Sequence, residues 1–426
     1  MLLALFAWLH GAHFSLYQSI LKFWMTQPMY VFLDWGGVTA SIGCWQQGVD
    51  VYAGVPCDVM GRIFNYSPLW LRLDFIPTDA AAVAPVGFAF ATLFILSLGL
   101  LPRPRARRDR LLVLLGTFSS LPVYAVERGN VDLIIFIVCV ALAYSLAHGF
   151  VFRIVGYLLV LLAGSLKFYP FVLLLLLMRE RLWRAILLGA FALVAIAAFG
   201  WWYHAELARA FARVPWTYVA GDSWGMINLP TGLAKGLQSG LAARLAPGAT
   251  VDVKLLTHLF EALFGLGAVA VSVLVARRSG LARAVATMPV QPRIFLSIGT
   301  ILVCGCFFAG QSIGYRGIYL LFVLPCLLAL ARDAADPGTC RILAMTGASV
   351  IFLLWMLSAQ QIVAGLFGGR ANPVSGIAGY LFWVLRELVW WGVISVLLAL
   401  LWRVVLLSRC WQDTIALFAR IAKAND

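Results

Sequence analysis

The chain has 426 residues, of which 63% are hydrophobic and only 12% are charged. Because soluble domains carry about a quarter charged residues, this composition excludes an ordinary soluble protein and predicts an all-α, polytopic membrane protein. The formal net charge of +14 does not require a nucleic-acid partner, since short cytoplasmic loops of membrane proteins collect Lys and Arg. We expect a single transmembrane domain over residues 1–426, with no separate soluble domain.

Apolar runs recur along the whole chain and predict about twelve transmembrane helices, some of them short or broken. Two long loops, residues 25–79 and 204–254, separate groups of helices, and the tail 406–426 is expected to lie along the inner membrane surface with its apolar helical face. The predicted spans lie near residues 2–24, 80–101, 111–126, 131–148, 154–166, 170–178, 184–203, 255–276, 293–311, 316–332, 341–363 and 378–405.

Four clusters of basic residues predict which side of the membrane each loop faces. Lys and Arg favour cytoplasmic loops, so we place all four clusters, both termini and the tail in the cytoplasm and both long loops outside. We expect the membrane to be a bacterial-type inner or plasma membrane. The clusters are RPRARRDR, RERLWR, ARRSGLAR and RVVLLSR, at residues 103–110, 179–184, 276–283 and 403–409.

The clusters at 103–110 and 179–184 are both predicted to be cytoplasmic, and two predicted spans between residues 111 and 148 return the chain to the inside. The stretch 153–178 therefore begins and ends inside and cannot cross the membrane only once. Its candidate turn is the motif KFYP, because Pro170 lacks an amide hydrogen and disfavours helix at Tyr169. The sequence therefore predicts a hairpin. This hairpin places Lys167 near the outer face instead of the bilayer centre, where a charge costs roughly 2.5–3.5 kcal/mol.

The predicted topology brings unusual polar residues together at the outer face. Lys167, Arg128 and Arg316 each abut an apolar span, and three cations at one face suggest a bound anion, most simply a phosphate. Asp34 follows the apolar stretch MYVFL, and partial desolvation there would suit a general base. A plain loop carboxylate is the alternative. The spacing of His, Cys and Asp residues indicates no metal site, so no metal cofactor is expected.

The first long loop contains two of the eight cysteines, Cys44 and Cys57. If this loop is extracytoplasmic, an oxidising compartment would permit a disulfide between them. Two free thiols are the alternative, and the sequence leaves both open.

Several short motifs, in chain order, resemble glycosyltransferase family 87. This family belongs to the GT-C superfamily of polytopic enzymes and includes polyprenyl-phosphate-mannose-dependent α-mannosyltransferases. The resemblance rests on Asp34 after the first span, on Gly48 to Tyr52 as a Gly-x-x-x-Tyr element, on Arg128 to Asn130 as an Arg-Gly-Asn element, on Lys167 to Pro170 as a Lys-x-Tyr-Pro element, and on FNYSPLW and YRGIYLLFVLP.

The resemblance implies an inverting transferase that moves a sugar, mannose in the type enzymes, from a polyprenyl-phosphate carrier to an acceptor hydroxyl at the outer face. Glycoside hydrolases need two carboxylates, but a phosphate leaves readily as an anion, so one base and a cationic cradle suffice. The implied base is Asp34. The implied phosphate-binding residues are Lys167, Arg316, Arg128 and Tyr169. Implied partners are membrane lipids, the lipid-linked sugar and a glycan or glycolipid acceptor.

Further polar and aromatic residues of the outer loops are weaker candidates for binding the acceptor or the sugar. Ordinary loop structure would explain them equally well, and aromatic residues at a membrane surface are more often interfacial anchors. The polar candidates are Asp50, Tyr52, Asn65, Asn130 and Asn228, and the aromatic ones are Trp216, Tyr218 and Trp224.

Two other functions share much of this pattern. A transporter or flippase for lipid-linked sugars would also use outer-face cations, but it predicts charged residues through the interior of the helix bundle. The predicted spans contain few such residues apart from the Lys167 region. A polymer ligase that uses a lipid-pyrophosphate donor would have the same topology and the same cationic cradle.

Overall fold

The computed structural model describes residues 8–24, 30–213, 222–245, 252–367 and 373–425. Among these residues, eight helices are long and apolar enough to cross a membrane, and a bent pair of helices raises the number to nine. The all-α, multi-pass membrane architecture is therefore confirmed. The count of twelve spans stays a prediction, because the other predicted spans fall on shorter apolar helices or extend beyond the described residues.

Within the described residues, the N-terminal half of the chain contains a helical stretch at residues 8–12, nine further α-helices and two 3₁₀ helices. The α-helices are α1 (Phe14–Leu21), α2 (Leu33–Gln46), α3 (Ala80–Leu98), α4 (Arg107–Thr117), α5 (Ser120–Arg128), α6 (Asp132–Ala147), α7 (Phe150–Lys167), α8 (Leu182–Trp202) and α9 (His204–Ala212), and the 3₁₀ helices are Pro68–Arg72 and Tyr169–Arg179. The bent pair is α4 and α5, which meet at an angle of 41°.

The C-terminal half adds nine more α-helices, one 3₁₀ helix (Gly314–Tyr319) and two very short strands that pair antiparallel. The elements are β1 (Ser223–Trp224), α10 (Asn228–Leu245), α11 (Val253–Ala276), α12 (Ser279–Thr287), α13 (Val290–Phe308), β2 (Ser312–Ile313), α14 (Leu320–Asp333), α15 (Pro337–Leu354), α16 (Met356–Leu366), α17 (Pro373–Leu406) and α18 (Arg409–Asn425).

The long helices differ in how much of their surface the protein covers. Most of α13 and α14 is buried, whereas α8 exposes large apolar side chains such as Phe191 and Val194. A helix that is apolar on all sides needs either a protein core or lipid around it. We therefore describe α13 and α14 as central helices and α8 as a helix whose surface suits contact with lipid.

The first predicted span and the first predicted loop differ from simple expectations. Residues 1–7 of the span 2–24 lie outside the described residues, and the rest contains the eight-residue helix α1. The loop 25–79 contains α2, which buries Trp35, Val38 and Ile42 in the core. The sequence did not predict this helix, because polar positions interrupt the apolar residues of the segment.

The predicted reversal at KFYP is present. Helix α7 ends at Lys167, Phe168 has a φ of +43°, and the 3₁₀ helix Tyr169–Arg179 returns along α7. The ends of the two arms meet, since Arg153 Nε donates to Glu180 Oε1 at 2.7 Å. The break in the helix and the hairpin are thus confirmed, and the depth of the turn in the membrane stays a prediction.

The C-terminal tail forms helix α18, which exposes Trp411, Ile415 and Phe418. Its Asp413 accepts a hydrogen bond from the backbone nitrogen of Leu182 at 3.0 Å. The tail therefore contacts the start of α8, beside the second basic cluster of the sequence.

Candidate functional site

Asp132 is the centre of a buried polar network at one end of the bundle. It lies in the first turn of α6, where a helix N-terminus favours negative charge. Its Oδ1 is 2.9 Å from Lys167 Nζ and accepts a hydrogen bond of 2.6 Å from the Tyr169 hydroxyl. Its Oδ2 is 3.8 Å from Arg316 Nε. One carboxylate therefore connects the end of α7, the following 3₁₀ helix and the segment before α14.

Asn130 joins this network to Asp34. Its side-chain nitrogen donates to Asp34 Oδ2 at 2.7 Å, and its side-chain oxygen accepts from Lys167 Nζ at 2.9 Å. The amide fits this position because it offers a donor to the carboxylate and an acceptor to the ammonium group. Asp34, Asn130, Lys167, Asp132 and Arg316 consequently form one continuous polar chain.

The backbone around Gly129 holds Asp34 in this position. Phe32, which has a φ of +56°, donates its backbone N–H to the Glu127 carbonyl oxygen at 2.7 Å, directly before α2 begins. Gly129 also has a positive φ, of +56°, and a Cβ on it would press against Phe32 and Trp35. A glycine between Arg128 and Asn130 thus permits α2 to pack closely against the end of α5.

Arg62, which the sequence analysis did not identify, supports Asp34 from the first long loop. Its Nη1 is 3.1 Å from Asp34 Oδ1, and its Nε and Nη2 donate to Asp58 at 3.0 and 2.9 Å. Burial tends to raise the pKa of the Asp58 carboxyl, but hydrogen bonds from Arg62 outweigh it and lower that pKa. A disulfide joins Cys44 to Cys57 and closes the loop next to Asp58.

Arg128 contacts the same region from the end of α5. Its Nε is 3.6 Å from Glu127 Oε2, and its guanidinium lies over the ring of Tyr124, 5.4 Å from the centroid. Tyr124 in turn donates to Asp222 Oδ2 at 2.6 Å. The ERGN stretch therefore supplies both a cation and an amide to one site.

The ionic groups of this site are arranged in layers. Three carboxylates are buried beneath the cations they pair with, whereas the guanidinium groups reach the surface. We call the eight charged residues the outer cluster, after the membrane face that the sequence predicts for them. Their exposed side-chain fractions are 0% for Asp132, 1% for Glu127, 3% for Asp58, 7% for Lys167, 13% for Asp34, 14% for Arg128, 24% for Arg316 and 36% for Arg62.

This layering changes the role expected of Lys167. Its ammonium group already contacts Asp132 and Asn130, and it lies 5.4 Å from the ring centroids of both Tyr66 and Tyr315. Lys167 is therefore a buried member of the cluster. The surface of the cluster consists of three guanidinium groups beside the one partly exposed carboxylate, that of Asp34.

The structure leaves most of the weaker candidates outside the outer cluster. Asp50 pairs at the surface with Arg209 at 3.1 Å, Tyr52 is buried beneath that arginine, and Asn65 is exposed. Asn228 accepts a hydrogen bond from Gln311 in a separate buried network. Only Asn130 among these candidates joins the polar chain.

The aromatic candidates of the second long loop divide into two groups. Trp216 and Tyr218 lie outside the described residues. Trp224 is fully buried and stacks on Trp390, with 4.1 Å between the ring centroids. Its faces are therefore not accessible to a sugar.

Sequence reasoning missed Asp132 and Arg62. Asp132 carried a usable signal, since it stands in ERGNVD at the start of an apolar span, where an acidic residue needs a partner. Arg62 carried none, because only the folding of its loop brings it to Asp34. The third omission is the Tyr319 hydroxyl, which contacts the Tyr169 hydroxyl and lies 3.4 Å from Asp132 Oδ1.

A second buried ion pair lies inside α17. Arg386 Nη2 is 2.6 Å from Glu387 Oε1 and donates to the Ser223 carbonyl oxygen at 2.9 Å. A transporter was disfavoured from the sequence because the predicted spans contain few charged residues. This buried ion pair lies within such a span, so the spans contain more buried charge than that comparison assumed. The bond to Ser223 connects this pair to β1, which pairs with β2 just before Arg316.

Among the described residues, no group of three His, Cys, Asp or Glu side chains is placed to hold a metal ion. Comparisons of the chain with protein-family models, with curated proteins and with solved structures give no match. The function is therefore argued from the site itself.

Proposed function

We propose that the protein is an inverting glycosyltransferase that moves a sugar from a polyprenyl-phosphate carrier to an acceptor hydroxyl. The observation that carries this proposal is the polar chain from Asp34 to Arg316, in which a partly exposed carboxylate lies beside guanidinium groups. A base and an anion-binding surface in contact are what this reaction requires. The resemblance of the motifs to family 87 supports the same assignment.

In the proposed reaction, Asp34 accepts the proton of the acceptor hydroxyl. The hydroxyl oxygen then attacks the anomeric carbon, the bond from that carbon to the phosphate oxygen breaks, and the electron pair leaves on the phosphate. Attack from the face opposite the phosphate inverts the anomeric centre. The departing phosphate gains negative charge, and fixed cations stabilise charge that develops in a transition state.

Arg316 is the residue best placed to bind the phosphate. Its Nη1 donates to Ser312 Oγ at 3.1 Å, its guanidinium lies over the ring of Tyr169, and its buried Nε faces Asp132 Oδ2 at 3.8 Å. Its Nη2 forms no hydrogen bond within the described part of the chain. A guanidinium group that is held by neighbours yet retains donors suits a phosphate oxygen. Arg128 is the second proposed contact, and Lys167 acts from beneath through Asp132 and Asn130.

Asp34 is held as a base by two donors on opposite oxygens, Arg62 Nη1 and Asn130 Nδ2. The two donors fix the orientation of the carboxylate, which a general base needs before a proton can be transferred.

The test is transfer of radiolabel from polyprenyl-phosphate sugars to membrane acceptors by the purified protein in lipid vesicles. We expect donor-dependent transfer by the wild type and at least a hundredfold loss in Asp34→Asn, because general-base catalysis contributes about 10²–10⁴-fold. Asp50→Asn is the matched control, since Asp50 also pairs with an arginine but lies outside the outer cluster.

Transfer that survives in Asp34→Asn would contradict the assignment of the base. Movement of lipid-linked sugar across the bilayer without transfer would replace the proposal with the transporter, for which the buried pair in α17 is the supporting observation. Transfer from lipid-pyrophosphate donors alone would indicate the polymer ligase.

A further inference from the structure

A second candidate site lies at the opposite end of the bundle from the outer cluster. A cavity of about 360 Å³ opens between the segment after α3, the start of α13 and the end of α14. Arg316 precedes α14 and Asp333 ends it, and the fourteen residues of this helix extend roughly 21 Å at 1.5 Å per residue. The cavity is therefore separate from the outer cluster.

Three arginines line this cavity, but only one of them is paired. Arg332 Nη1 is 2.7 Å from Asp109 Oδ2, and its Nε is 3.6 Å from Asp333 Oδ1. Arg103 and Arg105 are exposed, and neither forms an ion pair or hydrogen bond with another described residue. Asp333 is the one carboxylate among the lining residues. The lining thus carries excess positive charge and suits an anion.

The remaining wall of the cavity is largely apolar. It is formed by side chains at the ends of the central helices, among them Met288, Pro292, Pro325, Ala329 and Leu330. A volume of 360 Å³ lies at the lower end of the range for pockets that hold small organic molecules. An isolated phosphate ion would leave this apolar wall without a partner.

We propose that this cavity binds the phosphate-bearing headgroup of an anionic membrane lipid. Arg103 and Arg105 contact the phosphate, and the apolar wall contacts the glycerol and the first part of the acyl chains. The position supports a lipid as the source of the phosphate. Helix α13 is long enough to cross the membrane, as is α14 together with the 3₁₀ helix Gly314–Tyr319 before it, and the cavity lies at the ends of these two spans. Clusters of Arg next to a span attract anionic lipids.

The test uses the full chain in bilayer discs made of phosphatidylcholine. Thermal unfolding is followed while soluble dioctanoyl phosphatidic acid is added, since a ligand that binds only the folded state raises the melting temperature. We expect stabilisation that saturates with the lipid. Arg103→Gln/Arg105→Gln should raise the lipid concentration needed for half of the effect at least tenfold.

The matched control is Arg107→Gln/Arg108→Gln, which removes the same charge from the same basic segment but not from the lining of the cavity. This variant should change the half-saturating concentration less than threefold. Equal losses in the two double variants would overturn the proposal, because they would indicate diffuse attraction to surface charge. Ala329→Phe, which fills the cavity, should also abolish saturable stabilisation while the variant still melts cooperatively.

Two further additives distinguish the source of the phosphate. Dioctanoyl phosphatidylcholine should not stabilise the protein, and equal stabilisation by it would overturn the requirement for an anionic headgroup. Inorganic phosphate should act only at concentrations more than tenfold higher than phosphatidic acid. An equal effect of the two would show that free phosphate, and not a lipid, is the ligand.

Discussion

The two ends of the helix bundle differ in how far their charged side chains are buried and paired. In the outer cluster every cation has a carboxylate within 4 Å, and three of the four carboxylates are almost completely buried. At the other end Arg103 and Arg105 are exposed and pair with no other described residue, and the ion pairs of Arg332 with Asp109 and Asp333 are partly exposed. Buried pairs fix geometry because breaking one is costly, whereas exposed charge mainly creates an attractive field.

The largest expected effect is that of removing the central charge of the outer cluster. Asp132→Asn leaves Lys167 and Arg316 without the carboxylate they share, and an uncompensated buried charge costs about 3–5 kcal/mol. We expect the free energy of unfolding to fall by that amount, measured by chemical denaturation in detergent. Asp333→Asn, at the other end, should change it by less than about 0.5 kcal/mol, as is usual for surface substitutions.

A double variant tests whether Asp132 and Lys167 stabilise the protein as a pair. Asp132→Asn/Lys167→Met removes both charges of the buried pair, and replacement of a buried pair by apolar groups is often close to neutral. The double variant should therefore be more stable than Asp132→Asn alone. The single variant Lys167→Met completes the comparison. If the loss of stability in the double variant equals the sum of the losses in Asp132→Asn and Lys167→Met, the two residues do not interact, contrary to the 2.9 Å contact.

The next effect concerns the disulfide that closes the loop beside Asp58 and Arg62. Cys44→Ser/Cys57→Ser should lower the free energy of unfolding by about 2–4 kcal/mol, because a cross-link between residues 13 positions apart restricts the unfolded chain. Addition of a reductant to the wild type should have the same effect. Cys340→Ser/Cys410→Ser, a pair of free and partly exposed cysteines, is the control and should leave stability unchanged in both conditions.

The smallest effect is expected at the exposed end. Asp109→Asn removes the 2.7 Å contact with Arg332, whose side chain is 31% exposed, and exposed pairs contribute about 0–1 kcal/mol. Thermal unfolding at low and high salt should show a small loss that salt reduces further, since salt screens exposed charges. A loss as large as that of Asp132→Asn would remove the distinction between the two ends.

The sequence by itself determined the class of the protein. Twenty-residue apolar runs and scarce charge allow no other architecture than a multi-pass helical membrane protein, because each charge in lipid is expensive. The break after Lys167 was also predictable, since Pro170 cannot continue an α-helix without losing a hydrogen bond. The membrane-protein class and the helix break both depend on the chemistry of neighbouring residues, which can be read from the sequence.

Only the tertiary structure decided how the polar residues meet. Asp132 and Lys167 are 35 positions apart and Arg62 and Asp34 are 28 apart, and in both pairs the contact exists because separate segments converge. The sequence therefore predicted that cations collect at one end of the bundle, but not that buried carboxylates balance them. Which charges remain at the surface depends on burial, and burial is a property of the packed molecule alone.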